Sequence, residues 1–307
     1  MTRFDLVLAG GTVIHPASGL HDRRDVGIAA GRIAAVEPHL SGSDASDVLD
    51  VTGRLVVPGL VDLHVHVYPG VADLSVEADP TCLGRRATTV VDAGSAGANT
   101  FPGFRRWVVG PSRGRVLAYL NISLRGQVDP FLGELHDVRL ANPERAAAVA
   151  LANPDVIVGF KVRLSEMLAG PNGLAALDRA IEAGRATNLP VMAHMGGTPF
   201  GIEEVFAHVR PGDVITHAYT GWQPGAIVTD AGRVVTGARE ARDRSVRFDV
   251  GHEAGSFTWA VAEPRSPTGS GRTRSVPTCT GSTSRARCTT WPRPCPSSCS
   301  WGCRWTR

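Results

Sequence analysis

"LVDLHVHVYPG", residues 60–70, ends an apolar run in two histidines one residue apart, directly after Val57, Pro58 and Gly59. Residues i and i+2 of a strand face the same side, so a strand here sets His64 and His66 side by side. Further apolar runs ending in small or polar residues follow: "ATTVVDAGS" (87–95), "RVLAYLNIS" (115–123), "VIVGFKVRLS" (156–165), "LPVMAHMGG" (189–197), "DVITHAYTG" (213–221) and "VRFDVGHEAG" (246–255). Continuous apolar stretches of this kind are what strands buried on both faces require. Helical patterns lie between several of them. "NPERAAAVALAN" (142–153) has Pro143 in its first turn and Glu144 near its start, and "NGLAALDRAIEAGRATN" (172–188) repeats apolar residues at three and four spacing.

Strands alternating with helices predict an α/β fold, a (β/α)8 TIM barrel over residues 58–263 whose eighth unit is missing. A doubly wound sheet is the runner-up, but no Gly-rich phosphate loop follows the first strand. Ahead of the barrel, "FDLVLAGGTVIHP", "RDVGIAAGRIAAVEP" and "VLDVTGRLVVPG" are short β-rich runs split by Gly, expected to form a small N-terminal β-sandwich domain over residues 1–57.

Residues 264–307 differ in kind. They contain no Asp, Glu, Lys, Leu, Ile, Phe, Tyr or Met, yet hold eight Arg and five of the six Cys. The formal charge of +3 arises here, because removing eight of the 32 basic residues leaves 24 against 29 acidic ones, or −5. Without an apolar face such a segment has nothing to bury against the cost of ordering the chain. A basic disordered arm and a Cys-rich module compete with a reading-frame error, and the last is favoured. Cys279, Cys288, Cys295, Cys299 and Cys303 include no CxxC, and five is an odd number for a disulfide framework. Back-translating "GRTRSVPTCTG" (271–281) one nucleotide earlier permits WPDTISTDVHR, which reads like folded protein. The segment is therefore expected to be an aberrant, unfolded tail.

The start "MTRFDLVLAGG" lacks a basic region followed by an apolar stretch, and no apolar run is long enough to span a bilayer, so a cytoplasmic location is expected, with no membrane partner. Nothing in residues 1–263 points to nucleic acid. A homo-oligomer is left open.

In barrels the chemistry sits at the carboxyl ends of strands. Here those ends carry His64 and His66, Asp92, Lys161, His194, His217, and Asp249 with His252. Imidazole is a preferred ligand of zinc, and four histidines at three strand ends argue for metal rather than packing. Lys161 is the only lysine beside 31 arginines. An amine in an apolar pocket can lose its proton and act as a nucleophile, which a guanidinium cannot. The functional reading is a Lys161 amine that captures carbon dioxide as a carbamate, able to bridge two metal ions.

These residues together resemble the amidohydrolase superfamily, and most closely its amidohydrolase/deacetylase metallohydrolases, which are similar to dihydroorotases. The resemblance spans residues 3 to about 263. It implies two divalent metal ions, expected to be zinc, with His64 and His66 on the more buried one, His194 and His217 on the other, and carboxylated Lys161 between them. It also implies hydrolysis by a hydroxide bridging both ions, with an Asp after the eighth strand moving the proton. That Asp belongs to a segment like the "STD" of the shifted peptide, and Thr278 takes its place here, so no catalytic acid or base is assigned.

Dihydroorotase-like enzymes place an Arg two residues after the second histidine, where this chain has Tyr68. That difference favours a small acylated ester or N-acyl substrate, with Tyr68 and His252 expected to line its pocket. Asp92 is expected either to hold a ligand histidine or to cap a helix, and Cys82 to be a buried small apolar residue rather than a ligand. Alternatives kept open are an inactive truncated relative and a dihydroorotase-like cyclic amide hydrolase.

Overall fold

The computed structural model describes residues 2–229, 233–252 and 255–262. The tail, with Thr278 in it, lies outside the described residues. The chain divides into two compact units between Leu60 and Val61.

In the first unit, β1 (Phe4–His15), β2 (Leu20–Ala29), β3 (Arg32–Glu37), β4 (Ala45–Asp50) and β5 (Leu55–Val56) form one sheet in the order β3-β2-β1-β4, with β5 also beside β1. The β1/β2 and β2/β3 pairs are antiparallel, as the Gly-split runs predict, whereas β4 and β5 run parallel to β1. The described residues thus hold a single mixed sheet where the sequence reading anticipates a sandwich. Phe4, Val7 and Leu40 form its small core. Asp25 is buried among them and accepts backbone N–H groups of Gly10 (2.7 Å) and Leu40 (2.9 Å), tying β1 to the segment after β3.

The second unit is a curled sheet of seven strands in chain order: β6 (Leu60–Val65), β7 (Ala87–Gly97), β8 (Arg115–Asn121), β9 (Ile157–Arg163), β10 (Val191–His194), β11 (Val214–Thr216) and β12 (Arg247–Phe248). The pairs from β7 to β12 are parallel. Each expected run contains one of these strands.

Helices cover one face of the sheet. The helix Pro143–Leu151 starts where expected, with the Asn142 side chain accepting from Arg145 N and Pro143 preset for the first turn. The helix Gly173–Thr187 stops at Asn188, which adopts the left-handed conformation at φ 56°. Its Ala176, Leu177, Ala180 and Ile181 join the main core together with Ala146 and Ala150. Truncating Leu177 to Ala would cost about 2–5 kcal/mol by the usual cavity cost.

The pleat divides the strand residues between two clusters. Val90, Ala118, Leu120, Phe160, Val162, Val191, Ala193 and Ile215 belong to the helix-side core. Their neighbours Val91, Ala93, Tyr119, Met192 and Val214 form a smaller cluster on the other face. The second face is the one that carries the polar strand ends.

Candidate active site

Alternation fixes which side chains share that inner face. Val65 and Val67 flank His66 and belong to the helix-side core, as do Phe160 and Val162 around Lys161 and Ala193 before His194. His64, His66, Lys161 and His194 therefore point the other way, each at or just past the carboxyl end of its strand. All but the half-buried His194 are fully buried.

His217 follows Thr216, an inner-face residue, and strict alternation would send its ring outward. It adopts φ 62° instead. This turn brings its ring centroid to 4.9 Å from that of His64 and 4.7 Å from that of His194. The His64 and His66 rings lie 5.7 Å apart. A left-handed conformation away from glycine costs roughly 1 kcal/mol or more, and such positions concentrate at functional sites. The local fold pays for one here to add a fourth imidazole to the group.

The Nδ1 side of three rings is anchored. His217 Nδ1 lies 2.8 Å from the carbonyl oxygen of Gly251, which only accepts, so the ring donates there. His64 Nδ1 lies 2.8 Å from Asp249 Oδ2, and Thr216 Oγ1 sits 2.9 Å from the same nitrogen and 2.7 Å from the same carboxylate oxygen. Burial opposes ionisation of Asp249, but the hydrogen bond and attraction of His64, the Thr216 hydroxyl and the positive charge of Lys161 outweigh it and hold the carboxyl down at about 2. His66 Nδ1 meets Ser95 Oγ at 2.9 Å. A proton held on Nδ1 of His64 and His217 would leave Nε2 to carry the basic lone pair whenever the ring is neutral, the arrangement seen when an anchored histidine serves as a metal ligand.

Asp92 acts through backbone rather than through a ring. It accepts N–H groups of Val67 (2.8 Å), Gly94 (3.0 Å) and Ser95 (2.6 Å). One bond fixes the residue after His66, and another fixes the serine that touches its ring. Neither helix capping nor direct contact with a histidine describes it.

Lys161 is 1% exposed, with Nζ 3.6 Å from Met192 Sδ. Its stem passes over Gly94, where an added Cβ would lie 2.5 Å from Lys161 Cβ; Gly94 also has φ 95°. Beyond Lys161 on the same face, Arg163 forms a buried ion pair with Glu134, which also accepts from Asn121 Nδ2 at 3.1 Å.

Tyr68 stands apart from this group. It is buried in the helix-side core with its ring edge-on to Phe104 at 5.2 Å, and its hydroxyl donates to the carbonyl oxygen of Thr100 at 3.0 Å. The structure thus uses it for packing, where the sequence reading expects pocket lining. His252 is exposed and lies against Phe257, the ring centroids 4.6 Å apart. Cys82 is a core residue whose thiol burial pushes up to about 11, as a small apolar role requires.

Thr216, Asp249, Ser95 and Gly251 are the residues that sequence reading leaves without a role. Asp249 ends an apolar run and so was visible as a strand-end carboxylate, but nothing local signals its partner. In donor chemistry the group suits a divalent ion. Yet no three His, Cys, Asp or Glu side chains among the described residues converge closely enough to hold one, and the ligand set implied above includes a modified lysine.

No family model matches the chain. It is 35% identical over 234 residues to a deacetylase of Agrobacterium fabrum, an alignment covering 76% of this chain and 57% of the relative. A crystal structure of a dihydroorotase superposes with TM-score 0.76 at 32% identity, covering 84% of this chain and 67% of the other. One of an adenine deaminase does so with TM-score 0.77 at 30% identity, covering 85% and 69%. The chain belongs to the amidohydrolase superfamily. Within it the chain is similar to deacetylase-named and dihydroorotase-named members, and it spans less than three fifths of the Agrobacterium relative. Among the described residues no helix is long and apolar enough to cross a membrane.

Proposed function

We propose that this amidohydrolase-superfamily chain is a metal-dependent hydrolase that cleaves the ester or amide bond of a small acylated molecule. The observation that carries the reading is the inner-face group of His64, His66, Lys161, His194 and His217, with Nδ1 of three rings held by Asp249, Ser95 and the Gly251 carbonyl. The deacetylase, dihydroorotase and adenine deaminase relatives support it. In this reading those five residues would hold two divalent ions, zinc by donor type, once Lys161 carries its carbamate and completes a set that the histidines alone do not form. Bound there, the ions would supply Lewis acidity to the scissile carbonyl and lower the pKa of water.

The protein's own part is orientation. Asp249 keeps the proton of His64 on Nδ1, Gly251 does the same for His217, and Asp92 with Ser95 fixes His66. The Glu134–Arg163 pair cancels its own charge beside Lys161, and Tyr68 brings no cation to that region, which supports a neutral acyl group over a cyclic ureide acid. The composition of residues 264–307 supports a shifted reading frame and a barrel whose eighth unit is missing as written. A sandwich-type completion of the first unit, the cytoplasmic location and any homo-oligomer belong to the same proposal.

The test is to load the purified chain with zinc and labelled bicarbonate, measure bound metal, and follow hydrolysis of p-nitrophenyl acetate. Metal bound in proportion to protein, a labelled carbamate signal lost in Lys161→Gln, and zinc-dependent turnover are expected. A chain that binds no zinc with Lys161 unmodified sinks the reading. Metal without turnover selects the inactive truncated relative, and resequencing codons 255–307 then separates a frame error from a true ending.

A further inference from the structure

The loop after β8 is tied to the candidate site by its backbone. Gln127 N donates to the carbonyl oxygen of Ser95 at 3.0 Å, and Ser95 Oγ touches His66 Nδ1. Gly126 N donates to Ser123 O at 2.9 Å, which folds the loop over the end of the strand. The polar residues beside it have partners. Asn121 Nδ2 donates to Gly94 O and to Glu134, Ser123 Oγ donates to Glu134 O, and Glu134 pairs with Arg163.

Gln127 differs from them. The residue is 3% exposed, yet neither Nε2 nor Oε1 has a hydrogen-bond partner among the described residues. A buried carboxamide left in that state is costly, and such groups in native proteins call for a specific explanation. Two donors and one acceptor are thus carried by the residue whose backbone N–H bonds Ser95, the serine on β7 that touches the His66 ring.

We infer that Gln127 is a specificity residue that hydrogen-bonds the substrate and selects N-acyl compounds over esters. This rests on the hydrolase reading above and narrows its substrate class. An N-acyl group offers a donor as well as acceptors, so it can satisfy Gln127 Oε1 as well as Nε2. An ester offers acceptors only and leaves Oε1 buried without a donor. Sites built around a hydrogen bond discriminate strongly against analogues that lack it.

The experiment uses the full chain and two matched probes, N-benzylacetamide and benzyl acetate. Their dissociation constants are measured by ligand-observed NMR, alongside the melting temperature, for the natural chain and for Gln127→Leu. The unbranched Gln127→Met serves if the first variant does not fold. The natural chain is expected to bind the amide about tenfold more tightly, the loss of one net hydrogen bond. In the variant the ratio should fall to about one, with an unchanged or higher melting temperature, because an unpartnered buried amide has been removed. A ratio that survives the substitution overturns the inference, as does a natural chain that binds neither probe. Hydrolysis of p-nitrophenyl acetate, run in parallel, keeps the two readings apart. Turnover with no amide preference defeats only the Gln127 assignment, and amide preference without turnover defeats only the hydrolase reading.

Discussion

His217 donates from Nδ1 to the carbonyl oxygen of Gly251 at 2.8 Å, and both residues have positive φ, 62° and 50°. A side chain at residue 251 would place its Cβ 2.4 Å from Thr216 Oγ1 and 2.7 Å from His217 Nδ1. Gly251→Ala therefore meets both a conformational penalty and a collision. We expect a loss of about 2 kcal/mol in denaturant unfolding, with weakened zinc binding. Unfolding and metal titrations that match the natural protein would show that His217 is not held as described.

Replacing Asp249 by Asn keeps the shape and removes the charge that fixes the His64 proton. Zinc affinity should fall about 10- to 100-fold, the usual cost of losing a carboxylate behind a ligand histidine. Competition against a chromogenic chelator gives the number. Unchanged affinity would separate the Asp249–His64 pair from metal binding altogether.

Cys82 should be inert in the folded protein. Its thiol is buried and pushed up to about 11, so almost no thiolate exists at pH 8. Iodoacetamide followed by peptide mapping should leave the Cys82 peptide unmodified until denaturant is added. Rapid labelling of the native chain at this residue would contradict its core placement.

Acid should weaken the first unit through Asp25. Burial raises this carboxyl, but the backbone N–H groups of Leu40 and Gly10, with His39 and Arg23, outweigh it and leave the value below the ordinary 3.8. A folded-state value below the unfolded one contributes stability above the unfolded value, and that contribution is lost as pH falls through the folded one. Unfolding midpoints should therefore drop below about pH 4. Asp25→Asn should start lower and show less of this fall. Parallel pH profiles for the two proteins would refute the assignment.

Much of this architecture was legible in the sequence because parallel strands covered on both faces must be continuously apolar, and that pattern is local. The i, i+2 rule placed His64 beside His66 for the same reason. It could not be carried on to Tyr68, three residues past the end of β6 at Val65, where the side chain has turned into the helix-side core. His217 shows the opposite case: the sequence groups it with the strand-end histidines, strict alternation after Thr216 would turn it outward, and the backbone turn at φ 62° is what returns it to the group. Roles for Thr216, Ser95 and Asp249 come from side-chain hydrogen bonds between distant strands, which leave no periodic trace. Gln127 sits in a loop, where no periodicity exists to be read.

The bond between His64 and Asp249 joins residues 185 positions apart. Contacts of that range are among the slowest for a folding chain to close. His64 lies on the first strand of the sheet and Asp249 just past the last, so its ring gains this anchor only once the whole succession of strands is in place. Zinc uptake during refolding should lag behind the recovery of helical circular dichroism, which makes the ion a clock for the final docking step.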